Sequence, residues 1–266
     1  MCDSCGCNLT TGNRHLVETG GALAVTADGH GSIEVLQGLL EANDRQAHHN
    51  REHFDEYRVL AVNLMSSPGS GKTRLLEATI QALREEFRIA VIEGDLETEN
   101  DAERIRRAGV QAVQITTGTA CHLDAHLVHR ALHELPLAGL DLLFIENVGN
   151  LVCPASFDLG QHHNVTLLSV TEGDDKPQKY PVIFRASELI LVTKMDLLPY
   201  LEDFEVERVR RSVRALACEV EVLALSAKTG EGMDPWLAWL RAACQAQRAR
   251  TVGQKPSFQP HHHAET

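Results

Sequence analysis

Residues 59–73, VLAVNLMSSPGSGKT, restrict the fold more than any other stretch of the chain. They begin with an apolar, β-branched run at 59–64, the pattern of a strand buried on both faces. They end in Gly69, Ser70, Gly71, Lys72 and Thr73, and a helical pattern follows over 74–86. Strand, glycine-rich turn and helix in that order make a phosphate cradle. Backbone N–H groups approach the anion, the helix N-terminus adds partial positive charge, Lys72 reaches the outer phosphates, and Thr73 offers a hydroxyl to Mg²⁺. The usual pattern is G-x-x-x-x-G-K-[ST]; Ser66 stands where its first glycine would be.

Further strand patterns follow this cradle, with polar residues at their ends. Residues 87–95, FRIAVIEGD, form a buried strand that closes on Asp95, at the end where α/β sheets place ligands. Asp95 is a candidate Mg²⁺ ligand, direct or through water. The polar residues 96–101 are placed to respond to the γ-phosphate. Shorter strands are expected at 110–115 and 140–145. The second is followed by Glu146-Asn147-Val148-Gly149, an acid and then a glycine N–H arranged as a γ-phosphate sensor. Strands at 165–170 and 189–192 come next. Thr193-Lys194-Met195-Asp196 resembles the guanine motif, in which one carboxylate accepts N1–H and N2–H₂ of the base and the Lys194 stem lies over the ring. A strand at 220–225 then leads into Ser226-Ala227-Lys228, which resembles the loop contacting the guanine carbonyl. Each motif alone is weak; four in order at strand ends select GTP over ATP.

The length of 266 residues suffices for one large α/β core with appendages. A net charge of −12 without a basic stripe argues against nucleic-acid binding. No apolar run reaches the ~18 residues of a membrane span, and the polar, cysteine-rich start is no secretory signal. A cytoplasmic protein is expected, so the 7 cysteines are read as metal ligands or buried thiols before disulfides. Three domains are expected: an N-terminal extension with a flexible tether and a helix at 1–50, a P-loop domain at 51–245, and a polar tail at 246–266. In the extension, Cys2, Cys5 and Cys7 can converge on one ion, with Ni(II) or Cu(II) fitting a tetragonal set and Zn(II) a tetrahedral one; a redox terminus is the alternative. The helix expected over 33–54 carries His48, His49 and His53, read first as solvated and second as metal ligands.

A second cluster begins at Cys121 and His122. A helix opening there and running to about 135 would place His122, His126, His129 and His133 on one face. If the loop after Gly149 folds back, Cys121, His122 and Cys153 form a three-ligand set for Zn(II) or Ni(II) with an open position. Cys218 and Cys244 are assigned to the core, and His162 and His163 to a solvated loop.

Taken together, CxxCGC at 2–7, HNREHF at 49–54, SSPGSGKT, TACHLDAH, ENVGNLVCP, TKMD and SAKTGEG resemble the HypB family, the nickel-inserting GTPases of [NiFe]-hydrogenase maturation. The resemblance spans nearly the whole chain, and the Ser66 and Glu146 departures are themselves family features. It implies an α/β P-loop NTPase fold of the SIMIBI class, a mostly parallel sheet flanked by helices. It implies GTP hydrolysis with Lys72, Asp95 and Glu146 in catalytic roles, GTP-dependent homodimerisation, and Mg²⁺, Ni²⁺ and Zn²⁺ as ions. A high-affinity nickel site is implied at Cys2, Cys5 and Cys7, and a weaker nickel or zinc site at Cys121, His122 and Cys153 near the dimer interface. The implied partners are a HypA-type metallochaperone, the hydrogenase large subunit and, in some members, a SlyD-type isomerase. The alternative is a nickel carrier in which nucleotide only controls dimerisation. His261 to His263 are assigned no role.

Overall fold

Each strand of the computed structural model runs parallel to its neighbours, as expected for apolar segments covered by helices on both faces. The structure describes residues 33–95, 100–118, 120–216 and 219–250. Helix α1 (Ile33–Tyr57) leads into β1 (Leu60–Ser66), α2 (Lys72–Leu83), β2 (Ile89–Asp95), α3 (Asn100–Arg107), β3 (Gln111–Thr116), α4 (Ala125–Leu132) and β4 (Leu142–Glu146). Then come β5 (His163–Ser169), two short helices, α5 (Lys176–Lys179) and α6 (Pro181–Arg185), β6 (Leu189–Thr193), α7 (Val206–Ala215), β7 (Glu221–Ala224) and α8 (Met233–Ala249). The seven strands form one parallel sheet in the order β3-β2-β4-β1-β5-β6-β7. The cradle strand β1 is therefore central, between β4 and β5.

The period-2 alternation of β1 divides the core. Leu60, Val62 and Leu64 face a cluster with Leu75, Leu76 and Ile80 of α2 and Trp236 and Leu240 of α8. Val59 and Ala61 join the other face with Phe54 of α1 and Leu127 and Val128 of α4. A third cluster covers the β5–β6–β7 end and includes Ile183, Phe184, Val209 and Val213. Buried Trp236 also donates its indole N–H to Thr79 Oγ1 at 2.9 Å, so its polar edge is matched.

Helix α1 runs through residue 50 without a break. Two buried asparagines on it reach the rest of the molecule. Asn43 accepts from Ala125 N–H at 2.9 Å and donates to the Asp158 carbonyl at 2.8 Å. Asn50 donates to the carbonyls of Ala125 at 2.8 Å and Leu159 at 3.1 Å. Helix α8 continues to Ala249, beyond the expected boundary, because buried Gln247 anchors its last turn by donating to Asp55 at 2.8 Å.

His162 and His163 are not a solvated pair. The His162 side chain is 3% exposed and bonds Asp55 at 3.1 Å, while its Nδ1 accepts the Ala61 N–H at 2.9 Å. The Asp55 carboxyl is lowered to about 2, chiefly by that bond, and His163, which opens β5, is lowered to about 4 by burial. The pair leads into β5, which opens at His163, rather than lying in a loop. Cys244 is buried as expected, its thiol pushed to about 12 by desolvation, whereas Cys218 lies outside the described residues. Among the described residues no helix is long and apolar enough to cross a membrane.

Candidate functional site

The turn between β1 and α2 gathers polar groups over the carboxyl end of the sheet. Gly71 caps α2 with φ 96°, a left-handed conformation that glycine adopts without Cβ strain, and the helix starts at Lys72, two residues earlier than its apolar pattern suggested. Lys72 donates to Ser66 Oγ at 2.9 Å, and Thr193 Oγ1 donates to the Ser70 carbonyl at 2.7 Å, tying the turn to the end of β6. Ser67 bonds Glu172. Gly149 lies so close that a Cβ on it would come within 2.8 Å of the Pro68 N and Cα. The 146–153 segment is thus in contact with the phosphate turn.

Below this turn, Thr73 Oγ1 donates to Glu146 Oε1 at 3.0 Å. Glu93, unremarked in the sequence, is the register partner of Glu146 across β2 and β4 and is also buried. Burial, and then the neighbouring Glu146, raise the Glu93 carboxyl to about 11. Burial also raises Glu146, with the Lys72 ammonium opposing it. Glu93 Oε2 and Glu146 Oε2 are buried and make no hydrogen bond. Two carboxylates so placed cannot both ionise unless a cation joins them. An all-oxygen set with a threonine hydroxyl suits Mg²⁺. An acid inside an otherwise apolar strand was the signal for Glu93. Asp95 ends β2 as read, half-buried, with its carbonyl accepting Thr117 N–H at 2.9 Å.

At the other end of the site, Lys194 adopts a left-handed φ of 59° just after β6, with its stem 3.8 Å from where a Cβ on Gly71 would lie. Ser226 Oγ donates to Asp196 Oδ1 at 2.6 Å, and Lys228 Nζ is 3.6 Å from Asp196 Oδ2. The Ser226 hydroxyl is the main cause of the lowered Asp196 pKa. Met195 N–H bonds the Leu225 carbonyl at 3.2 Å. The TKMD and SAK motifs, 30 residues apart at Ser226 and Asp196, therefore meet as one rim.

The soft-ligand cluster forms beside the phosphate turn. Cys121 Sγ is 3.1 Å from Cys153 Sγ and 3.7 Å from His122 Nδ1, and the three ligand atoms lie within 4.8 Å of one another. The sulfurs are free thiols. His122 is buried and stacked on Phe157, with ring centroids 4.0 Å apart, and burial lowers its pKa, keeping a neutral imidazole for ligation. Cys121 and His122 do not open the helix. They precede it in a loop, because Asp124 caps α4 by accepting Leu127 N–H at 2.8 Å. The four histidines consequently do not share one face: His122 goes into the loop and His129 to α1. Asn147 joins the two clusters. Its Oδ1 accepts Leu123 N–H at 3.2 Å, and it directly follows Glu146. The part of Asn43, Asn50 and Asn147 in holding the ligand-bearing segments was not read from the sequence, although Asn50 and Asn147 lie in its motifs. Cys2, Cys5, Cys7, residues 96–99 and His261 to His263 lie outside the described residues.

Residues 60–224 match the family model described as "CobW/HypB/UreG, nucleotide-binding domain". The hydrogenase maturation factor HypB of Azotobacter chroococcum is 53% identical over 228 residues, 82% of this chain and 74% of that protein. The crystal structure of HypB from Helicobacter pylori in complex with nickel superposes with a TM-score of 0.73 at 38% identity, covering 80% of this chain and 99% of that one. The 54 kDa signal recognition particle protein of Aeropyrum pernix, at 12% identity and a TM-score of 0.50 over 89% of this chain and 59% of that one, shares the fold alone.

Proposed function

Because the chain belongs to the HypB family of hydrogenase maturation factors, we propose that it hydrolyses GTP and uses nucleotide state to control the holding and release of nickel. The observation carrying this reading is the 146–153 segment. It contributes a carboxylate to the Thr73–Glu93–Glu146 oxygen cluster, a glycine against the phosphate turn, and a thiol to the Cys121–His122–Cys153 cluster.

In this reading Lys72 and the amides of residues 69–73 neutralise the phosphates. Thr73 and Glu146, with Glu93 behind them, would hold Mg²⁺, which would offset the phosphate charge when bound. Asp95 orders water at the β2 end. Asp196 takes the guanine N–H groups, Lys194 covers the base, and Ser226, Ala227 and Lys228 complete the rim. The Ser226 hydrogen bond supports this by keeping Asp196 an ionised acceptor. A γ-phosphate accepting the Gly149 N–H would pull on Cys153 through four residues. Nickel, the cargo, or zinc binds Cys121, His122 and Cys153, and the Cys2, Cys5 and Cys7 thiols make a separate site. GTP-dependent homodimerisation, exchange with a HypA-type metallochaperone, assistance from a SlyD-type isomerase and delivery to a hydrogenase large subunit in the cytoplasm complete the proposal.

The test is nickel titration of the full chain with Cys2, Cys5 and Cys7 changed to Ser, in GTP and in GDP. The expected affinity ratio is roughly 10, within the usual span of a coupling free energy. ATP should leave the affinity at its nucleotide-free value. Equal affinities in GTP and GDP would remove the coupling and leave an ordinary nucleotide switch.

A further inference from the structure

The side of the molecule where α1 and α4 touch carries three imidazoles that the preceding reading does not use. His49 and His53 lie one turn apart on α1, and His129 faces them from α4. Their ring centroids are 4.4, 5.2 and 6.0 Å apart, and one ring nitrogen from each lies within 4.8 Å of the others. His49 Nε2 and His53 Nε2 are 3.1 Å apart. Two nitrogens bound to one ion at about 2.0–2.1 Å stand roughly 2.9–3.4 Å apart for bond angles between a right angle and tetrahedral. The pair is already at that spacing.

The third ring is held in the tautomer a ligand needs. Asn50 is fully buried, and both its amide protons go to carbonyls, those of Ala125 and Leu159. Its Oδ1 orientation is therefore fixed, and it lies 3.1 Å from His129 Nδ1. A carbonyl oxygen can only accept, so His129 carries its proton on Nδ1 and its lone pair on Nε2. An oxygen orienting the far nitrogen of an imidazole is the usual outer support of a metal-bound histidine. Burial and the surrounding His133, His49, His53 and His126 lower the pKa of His129, keeping it neutral. Glu52 stands 3.9 Å from His49 Nδ1.

We propose that His49, His53 and His129 form a further metal site, taking a divalent late-transition ion such as Ni²⁺ or Zn²⁺ through three Nε2 atoms. Nitrogen-only donors of borderline softness suit these ions and not Mg²⁺. On binding, whichever of His49 and His53 now donates its Nε2 proton shifts that proton to Nδ1, and both lone pairs turn to the ion. Two ligands from α1 and one from α4 make the ion a clamp across the seam that Asn43 and Asn50 also close. With no thiolate, the site exchanges metal more readily than the Cys121 cluster a few residues upstream of α4. It stands whether or not nucleotide controls nickel.

The test counts metal on the full chain by equilibrium dialysis, with Ni²⁺ and Zn²⁺ in separate arms and excess Mg²⁺ present. His49→Gln/His53→Gln should lose one bound equivalent, and His49→Gln alone should weaken that equivalent at least about tenfold. His49 is exposed and His53 half-buried, and unchanged metal-free melting checks that both variants fold. His129→Gln should lose the same equivalent, and the exposed His48→Gln should lose none. With Co²⁺ as probe, thiolate-to-metal charge-transfer absorption should be unchanged in all variants. An undiminished count in the double variant would overturn the site. So would loss of this equivalent on changing His261, His262 and His263 to Ala, because the tail would then be its source.

Discussion

Glu93 and Glu146 are buried oxygen donors under the phosphate turn, made of strand residues in direct register. Cys121, in a loop, and Cys153, at the start of a 3-10 turn, are half-buried sulfur donors joined by an imidazole stacked on Phe157. The first pair sits on paired strands, and its oxygen donors suit a hard ion of small radius. The second offers sulfur and nitrogen, which suit a softer ion. In the proposed reading donor chemistry alone would sort the two kinds of cation. The clusters are nonetheless neighbours: Glu146 and Cys153 lie seven positions apart on one segment, and Asn147 of that segment accepts the Leu123 N–H beside Cys121 and His122.

The comparison breaks most visibly if the soft cluster is removed. Cys153→Ser should weaken nickel binding there at least about 100-fold, close to 3 kcal/mol, because loss of a ligand exceeds loss of an outer-shell partner. Magnesium-dependent GTP binding, followed by fluorescent-nucleotide titration, should not change. A parallel fall in both would mean the clusters are one site. The next effect is at their junction. Gly149→Ala puts a Cβ against Pro68 backbone that cannot rotate away, and should cost about 1–3 kcal/mol of strain. GTP turnover should slow roughly tenfold, as 1.4 kcal/mol is a factor of ten, and nickel affinity in GTP and GDP should converge. Unchanged single-turnover hydrolysis would show that the loop does not report on phosphate.

An effect spread gradually over pH sharpens the hard site. A carboxyl raised from 4.5 to about 11 in the folded chain stabilises fully below 4.5 and loses that contribution as pH rises toward about 11. The metal-free protein should therefore lose stability between pH 5 and 9, by up to about 1.4 kcal/mol per pH unit for one retained proton. Glu93→Gln should flatten that slope in denaturant titrations, and Mg²⁺ binding to the unsubstituted chain should release a proton. An identical slope in the variant would place the proton elsewhere.

The sheet was legible because parallel strands must be apolar on both sides, and each apolar run in the sequence appears as a strand. The turn at 66–73 and the meeting of the TKMD and SAK motifs follow sequence patterns of fixed residue types at short spacing. Helix starts were less so: Asp124, read as part of a helix, caps it, which moves Cys121 and His122 into a loop. The joining role of three asparagines was not legible. Asn50 and Asn147 lie within recognised motifs and Asn43 in none, but all three act on groups 24 to 115 positions away, which local sequence does not reveal. Glu93 lay between these cases, visible as an acid among Ile and Val but with a partner 53 positions later. The histidines of α1 were read as solvated because their third member lies on another helix.

Asn147, beyond touching the metal loop, ends a row of side-chain amides. It donates to Asn63 at 3.3 Å, Asn63 donates to Asn164 at 2.9 Å, and Gln161 donates to that same Asn164 oxygen at 3.1 Å. Every N–H on the row from Asn147 points toward β5, so turning any one amide over would set oxygen against oxygen on one side and proton against proton on the other. Such a row has a sense, like a one-way street, and no mirror arrangement of equal energy. Its consequence is that Asn147 must keep its oxygen toward Leu123 for as long as the strands stay paired, leaving the surrounding loops, rather than the amide, as the parts free to move.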